Sequence, residues 1–384
     1  MFQRVLCICV FVGTLGSGLF AKSEGQAPVG VQVLKVHTMY GDFDVTELVL
    51  QELFFSDVLN RIKDVHQYGF VRYLLPEVAE YTRYVHCVNV WAILRLFGAS
   101  LKEQIAGLLH DVSHTVFSHV GDFVFNHSSA LRSYQDDIHK SFLRKMGIER
   151  ILTRFGYDMS LFDQKYSMLE QKSPDVCADR FEYTIYAGLL NKKPDLQEML
   201  LSYDDVTHIV NALHFDTDIQ KWYFNDVALA QKFAMVSLYT TLVAVGSAWN
   251  HLVYSWMADA LVEAFRIGLI SQNEYHFSTD SAVWKKLHKS NNTIIASALD
   301  KVHHYKEYFR LCDEKEPCDI LIHTKFRGIN PLVKTNEGYK PLTHVSQEFC
   351  AAYEQTRKQI VAGWRVKFLG KCAQHPQHVR QIIS

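Results

Sequence analysis

Between Gly107 and Asp122 the chain carries three histidines (His110, His114, His119) and two aspartates (Asp111, Asp122) in an otherwise apolar stretch. His110 and His114 are four apart, so on a helix they share a face, and Asp111 can turn toward the same pocket if the helix ends nearby. Groups of this kind are costly to bury without partners. A divalent cation supplies the partner, because imidazole and carboxylate are the ligand types that Zn, Mn, Fe and Ni accept. The bland alternative is a set of hydrogen-bonded core histidines, and the density of the cluster weighs against it. Two further pieces belong with it: Arg83 and His86 open a preceding amphipathic helix, and Asp179, Arg180 and Tyr183 open a later one.

The elements that must position these groups read as helices. Apolar residues recur at helical spacing over 85–96 and 101–109, and more helices are expected over 138–155, 179–190, 204–213, 227–264 and 279–302. The last should be capped by Ser278 or Asp280. Gly98, Gly147, Pro174 and Pro194 interrupt the pattern. From 319 to 344 short apolar runs alternate with Gly328, Pro331, Gly338 and Pro341, so a strand or two with turns is expected there. The expected fold class is all-α, a mainly helical body with a small strand- and turn-containing C-terminal extension. A metal-binding unit over 30–200 would be followed by a helical region over 201–384 packed on it.

No Asp, Glu, Lys or Arg occurs between 233 and 257. Ser237, Thr240, Thr241, Asn250 and His251 interrupt that run too often for a membrane span, and a buried core helix is expected. The basic tail over 357–380 reads as a solvated helix face.

With 48% hydrophobic residues over 384 positions the chain can build a sizeable core, which excludes a disordered protein. Lys and Arg (40) balance Asp and Glu (41), which argues against a protein that works by gripping nucleic acid or anionic membrane. Eight cysteines are too few for a disulfide scaffold; Cys312 and Cys318 form one close pair, read equally well as a local bridge or two free thiols. At the start, Arg4 precedes an uncharged stretch over 5–21, which reads as a secretory signal cleaved after Ala21. That would make the protein secreted or periplasmic, with no stable membrane insertion once the signal is removed. An uncleaved anchor or a buried helix of a cytoplasmic protein is the alternative.

His86, the adjacent His110 and Asp111, and the distant Asp179 form a pattern that resembles the HD superfamily of metal-dependent phosphohydrolases. It is most similar to the deoxynucleoside-triphosphate triphosphohydrolase branch, with Arg83 three before the first histidine and Phe117, Ser118 and His119 after the His-Asp pair. Asp179, Arg180, Phe181, Glu182 and Tyr183 match that branch's Asp-basic-aromatic-acid-Tyr motif. Weaker similarity continues over 238–264 and from Arg327 to Pro331, followed by Ser346.

The resemblance implies a helical domain holding one divalent metal (Mn, Fe, Mg, Ni or Zn) on His86, His110, Asp111 and Asp179. It places His114 near the leaving group and makes His139 and Asp122 a second catalytic pair. Arg83 and Arg180 would neutralise phosphate oxygens, and Tyr183 and His119 would touch the substrate. That substrate would be a nucleotide or other small phosphoester rather than a nucleic-acid sequence, and the protein a homo-oligomer.

The sequence also departs from the branch. Ser113, Thr115 and Val116 stand where relatives carry Gly, Gly and Pro. Lys140 follows His139 in place of an acidic residue, and Ala187 replaces a second Asp. The stretch over 239–254 lacks the arginine relatives use on the triphosphate. These departures weaken triphosphate specificity and leave phosphoester hydrolysis in place. The alternatives are a phosphomonoesterase or cyclic-nucleotide phosphodiesterase, a dinuclear oxygenase using His114, His119 and His139, or a nucleotide-binding regulatory protein without turnover.

Overall fold

The computed structural model describes residues 10–13, 33–75, 80–125, 133–191 and 200–370. Its central helix, Arg83–Leu96, starts where the Thr82 hydroxyl accepts the Val85 amide at 3.3 Å. Ser100 does the same for the Leu101–Leu109 helix through the Glu103 amide at 3.2 Å. The Arg83–Leu96 helix packs against both Leu101–Leu109 and Ala178–Leu190. Trp91, buried at its centre, takes Phe43 and Phe54 edge-on.

The buried apolar residues form two clusters. The first gathers the helices at 83–96, 101–109, 178–190 and 227–240. The second is built on the Ala248–Arg266 and Thr293–His303 helices. Leu109 and Val112 belong to the first cluster, while Val116, Phe117 and Val120 belong to the second. The segment carrying His110, Asp111 and His114 therefore crosses from one core to the other, and its polar residues sit at the junction.

Most expected helices form, with breaks where local chemistry requires them. The 138–155 stretch splits into Tyr134–Lys145 and Ile148–Arg154 around Gly147, whose φ of 77° ends the first helix. The 227–264 stretch is interrupted by a wide turn at Thr241–Val245, after which Ser247 caps Ala248–Arg266. Val227–Val245 is long and apolar enough to cross a membrane; in the fold Phe233 and Ala234 lie inside the first core. The 279–302 stretch splits where Asn292 accepts the Ile294 and Ile295 amides at 2.9 and 3.0 Å. Thr279, rather than Ser278 or Asp280, occupies the cap position of the Asp280–His288 helix.

The all-α expectation needs correction. Ten strands are described: β1 Val10–Gly13, β2 Val33–Thr38, β3 Gly41–Val45, β4 Leu213–Asp216, β5 Lys221–Phe224, β6 Phe309–Leu311, β7 Ile320–Ile322, β8 Leu332–Thr335, β9 Gly338–Pro341 and β10 Trp364–Phe368. They make three small sheets, ordered β1-β2-β3, β4-β5-β8-β9 and β6-β10-β7. Pairing is antiparallel throughout except between β5 and β8. The body is mainly helical, yet strands occur in all three regions of the chain. Each is three to six residues long, too short to display a two-residue period against helical neighbours.

β1 falls inside the apolar run read as a signal, pairing Val12 with Leu34 and Val10 with Val36. The other residues of 1–21 lie outside the described residues, as does the tail beyond 370. Before that tail, Arg357 lies exposed on the Gln347–Ala362 helix and β10 follows. Cys312 and Cys318 are both free thiols.

Candidate metal centre

Four acceptor atoms from three helices or their ends converge at the junction of the two cores. His86 Nε2 lies 3.1 Å from His110 Nε2, 3.1 Å from Asp179 Oδ1 and 3.5 Å from Asp111 Oδ2. His110 Nε2 lies 3.6 Å from Asp179 Oδ1 and 3.7 Å from Asp111 Oδ2. Ligand atoms held at about 2.1 Å from one ion stand about 3.0 to 3.4 Å apart, close to this spacing.

The surroundings decide which nitrogen of each imidazole is bare. His110 Nδ1 faces the Gly107 carbonyl at 2.7 Å, an acceptor only, so it carries the proton and leaves Nε2 with a lone pair. His86 Nδ1 faces Glu182 Oε2 at 2.5 Å, with the same result. Glu182 is fully buried and is held in turn by the Tyr81 hydroxyl at 2.5 Å and by Asn89 Nδ2 at 2.9 Å. His86, His110 and Asp111 thus offer ligand atoms within 4.8 Å of one another, and Asp179 Oδ1 stands against the two histidines, a donor set that suits a divalent cation.

The electrostatics agree. Burial alone would depress the His86 imidazole, but Glu182, Asp179 and Asp111 lift it to about 9. His110 is raised as well, Asp111 and Asp179 overcoming its burial. Asp111 moves the other way: burial would raise it, yet Arg83, His110 and His114 hold it well below the usual carboxylate range. The pocket calls for positive charge where the four atoms meet.

Arg83, buried, donates to Asp111 Oδ2 and, through Nε, to Ser118 Oγ at 3.1 Å. Ser118 in turn donates to the His66 carbonyl at 2.6 Å. Phe117 and Ser118 have φ of 60° and 53°, a left-handed pair costly for residues with a Cβ. Buried Asp280 fixes that shape, accepting the Phe117 amide at 2.7 Å on one oxygen and the His66 amide at 2.9 Å on the other.

The remaining expected site residues line one cleft of about 3260 Å³ shared with the metal-side residues. His114 Nε2 lies 3.4 Å from Asp111 Oδ1, and burial, then Arg83, push its pKa down to about 3. His119 packs edge-on against His114 at 4.9 Å. The expected pairing of His139 with Asp122 is not what forms. Asp122 contacts His119 Nδ1 at 3.3 Å and accepts the Tyr134 amide at 2.7 Å, while His139 Nδ1 meets Ser113 Oγ at 2.8 Å. The short Val120–Val124 helix puts Asp122 on the same side as His119, three residues away. Ser113 Oγ donates to Gln135 Oε1 at 2.6 Å, so His139 keeps its proton on Nδ1. Burial, then the nearby His110, lower the pKa of His139 to about 4. Arg180 donates to the Asp175 carbonyl at 3.0 Å, and Tyr183 lines the cleft beside Asp179.

Among the described residues, a metal-capable group of at least three acidic, histidine or cysteine side chains forms at His86, His110 and Asp111. His114, His119 and His139 form no such group. Glu182, Tyr81, Ser113 and Asp280 carry structural roles that the sequence reading did not assign. For Glu182 the legible signals are its place in the motif that opens with Asp179 and its spacing, three after Asp179 and so on the same helix face.

Residues 83–151 match the family model of the HD domain. That match places an HD domain, and with it the His-Asp pair at 110 and 111, in this part of the chain. It is 29% identical over 329 residues to an uncharacterised protein of Bacillus subtilis, YdhJ, covering 84% of this chain and 96% of that one. It is 35% identical over 204 residues to a metal-dependent phosphohydrolase of Cordyceps militaris, cns2, covering 49% of this chain and 56% of that one. In fold it resembles a hypothetical protein from Aquifex aeolicus, with a TM-score of 0.60 at 16% identity over 92% of this chain and 100% of that one. A phosphohydrolase from Bacteroides thetaiotaomicron gives a TM-score of 0.61 at 14% identity over 86% and 98%.

Proposed function

We propose that this chain hydrolyses a phosphoester bond of a nucleotide-like substrate, in the manner of the deoxynucleoside-triphosphate triphosphohydrolase branch it resembles. The observation that carries the reading is the convergence of His86 Nε2, His110 Nε2, Asp111 Oδ2 and Asp179 Oδ1 at the wall of the large cleft. Bound there, a divalent cation supplies a Lewis acid that polarises a phosphoryl oxygen and lowers the pKa of an attacking water.

The chain's own residues would do the rest. Arg83 holds Asp111 in place and offers its charge at the metal-side end of the cleft. His114, next to Asp111 and neutral at physiological pH, would act near the leaving group as a hydrogen-bonding or proton-accepting imidazole rather than as a proton source. His119, with Asp122 behind it, is next in line. His139 presents a bare Nε2 and acts as an acceptor for a substrate hydroxyl or water. Arg180 and Tyr183 line the substrate's approach. The unit over 30–200 holds this machinery, and removal of residues 1–21 on export would take β1 from the edge of β2; mass spectrometry of the protein secreted by its own host tests that removal.

Phosphate, pyrophosphate and triphosphate release from nucleoside mono-, di- and triphosphates and cyclic nucleotides, with Mn, Mg, Fe, Ni or Zn supplied in turn, tests the activity. Triphosphate release supports the branch-like reaction. Orthophosphate alone assigns a phosphomonoesterase. Metal bound with no release from any substrate sinks the catalytic reading and favours a regulatory nucleotide binder.

A further inference from the structure

A second pair of metal-binding atoms meets outside the cleft, on the surface of the second core. His288 ends the Asp280–His288 helix and His303 ends the Thr293–His303 helix, and their Nε2 atoms stand 3.1 Å apart. Both residues are exposed, and neither lines the cleft. The helices beneath them are anchored in the second core, one through Val283 and Leu287, the other through Ile295 and Val302. The two imidazoles therefore project from fixed supports.

The ring of Trp284 sets their orientation. Its centroid lies 4.2 Å from that of His288 and 5.7 Å, edge-on, from that of His303, and Tyr73 stacks on it at 4.4 Å. Rings packed in this way have little freedom left to lose when a ligand binds. His288 Nδ1 faces the Trp284 carbonyl at 3.1 Å, an acceptor only, so it carries the proton and Nε2 is bare. His303 Nε2 thus faces a lone pair. It can donate a proton to it or, in its other tautomer, present a second lone pair to a shared cation. Two nitrogens each about 2.0 to 2.1 Å from one ion stand about 3.0 to 3.4 Å apart, so the observed spacing accepts an ion without moving either helix. Asp300, one turn before His303 on the same helix, contacts His304 Nδ1 at 2.9 Å, and its negative charge reaches His303.

We infer that His288 and His303 form a second metal site, for a late divalent transition ion such as Zn, Ni or Cu, that clips the two helices together. The imidazoles are the protein ligands and water completes the shell. Imidazole nitrogen favours these ions over Mg and Ca. The ion has a structural role, because the pair lies away from the cleft. It closes on the end of the helix whose first residue, Asp280, holds the Phe117 amide. The site stands whether or not the chain hydrolyses phosphoesters.

The test is calorimetric titration of the full chain with Ni(II), which accepts imidazole nitrogen, read together with tryptophan fluorescence. The wild-type protein should bind one equivalent more than His288→Ala or His303→Ala. The second nitrogen is already in place when the first binds, so either variant should lose about a hundredfold in affinity at this site. His288→Gln and His303→Gln, which keep a polar side chain, should lose the ion equally. Both positions are exposed, so thermal melts of all four variants without metal should overlay the wild type. Bound Ni(II) should quench Trp284; Trp284→Phe should keep the extra equivalent and lose that quenching. Equal stoichiometry and affinity in the wild type and the histidine variants overturns the assignment. Loss of the ion at only one of the two positions, or an undiminished quenching amplitude in Trp284→Phe, also overturns it. The quantity read is the difference between wild type and variant, so a chain that binds nothing at His86 and His110 still tests the clip.

Discussion

Glu182→Gln isolates the charge that holds His86 in its metal-binding form. Glu182 Oε2 accepts from His86 Nδ1 and the Tyr81 hydroxyl, and Oε1 accepts from Asn89 Nδ2. A glutamine can keep its carbonyl toward His86 and Tyr81, turning its amide group toward Asn89. Asn89 can receive it by rotating, because its own Oδ1 is buried without a partner. The substitution is therefore isosteric and hydrogen-bonded, and what it removes is the negative charge behind the imidazole. Outer partners of metal-bound histidines typically contribute tenfold to a hundredfold in metal affinity, about 1.4 to 2.7 kcal/mol. The assay is competition of the purified protein with a chelating indicator, giving metal stoichiometry and Kd, alongside a thermal melt. Glu182→Gln should fold, bind one equivalent and show the weaker Kd. Glu182→Ala leaves three buried donors without an acceptor and should destabilise the fold by about 3–5 kcal/mol. A well-folded Glu182→Gln protein with wild-type metal affinity would refute the assignment of His86 as a ligand oriented by this carboxylate.

Three further outcomes are expected. Asp111→Ala should lose both bound metal and activity, whereas His139→Ala should retain the metal and lose turnover; metal loss in the second, by elemental analysis, would place His139 in a dinuclear centre instead. His66, where burial lowers the pKa but Asp280 more than restores it, sits above its usual 6.5. A folded pKa above the unfolded one gives stability that is fully present below about pH 6.5 and is lost as pH rises through the folded value. His66→Gln should accordingly cost more in urea melts at about pH 6 than at about pH 9, and a flat or increasing cost would contradict the pairing. Gly69 has φ of 54°, and a Cβ there would meet the Phe117 carbonyl oxygen at 2.5 Å. Gly69→Ala should lower stability by about 1–3 kcal/mol, and an unchanged urea midpoint would show that the Phe117–Ser118 turn is not held as described.

The sequence by itself determined the helical body, and its resemblance to a known family named the residues expected on the metal side. His110 and Asp111 end a helix whose apolar spacing and Ser100 cap are local features, and His86 and Asp179 each lie in the first turn of a helix equally visible in the residue pattern. Such signals act over a few residues and need no knowledge of the rest of the chain. Tertiary structure decided what depends on distant partners. The short strands of the three sheets are defined by pairing, as when β5 adds β8 from more than a hundred residues later. The resemblance pairs Asp122 with His139, but the turn after Phe117 gives it to His119, and Asp280 holds the amide of that turn. Glu182 became the support of His86 only when the helices at 83–96 and 178–190 packed together. Side-chain type limits what a residue can do, and packing chooses which groups share a cavity.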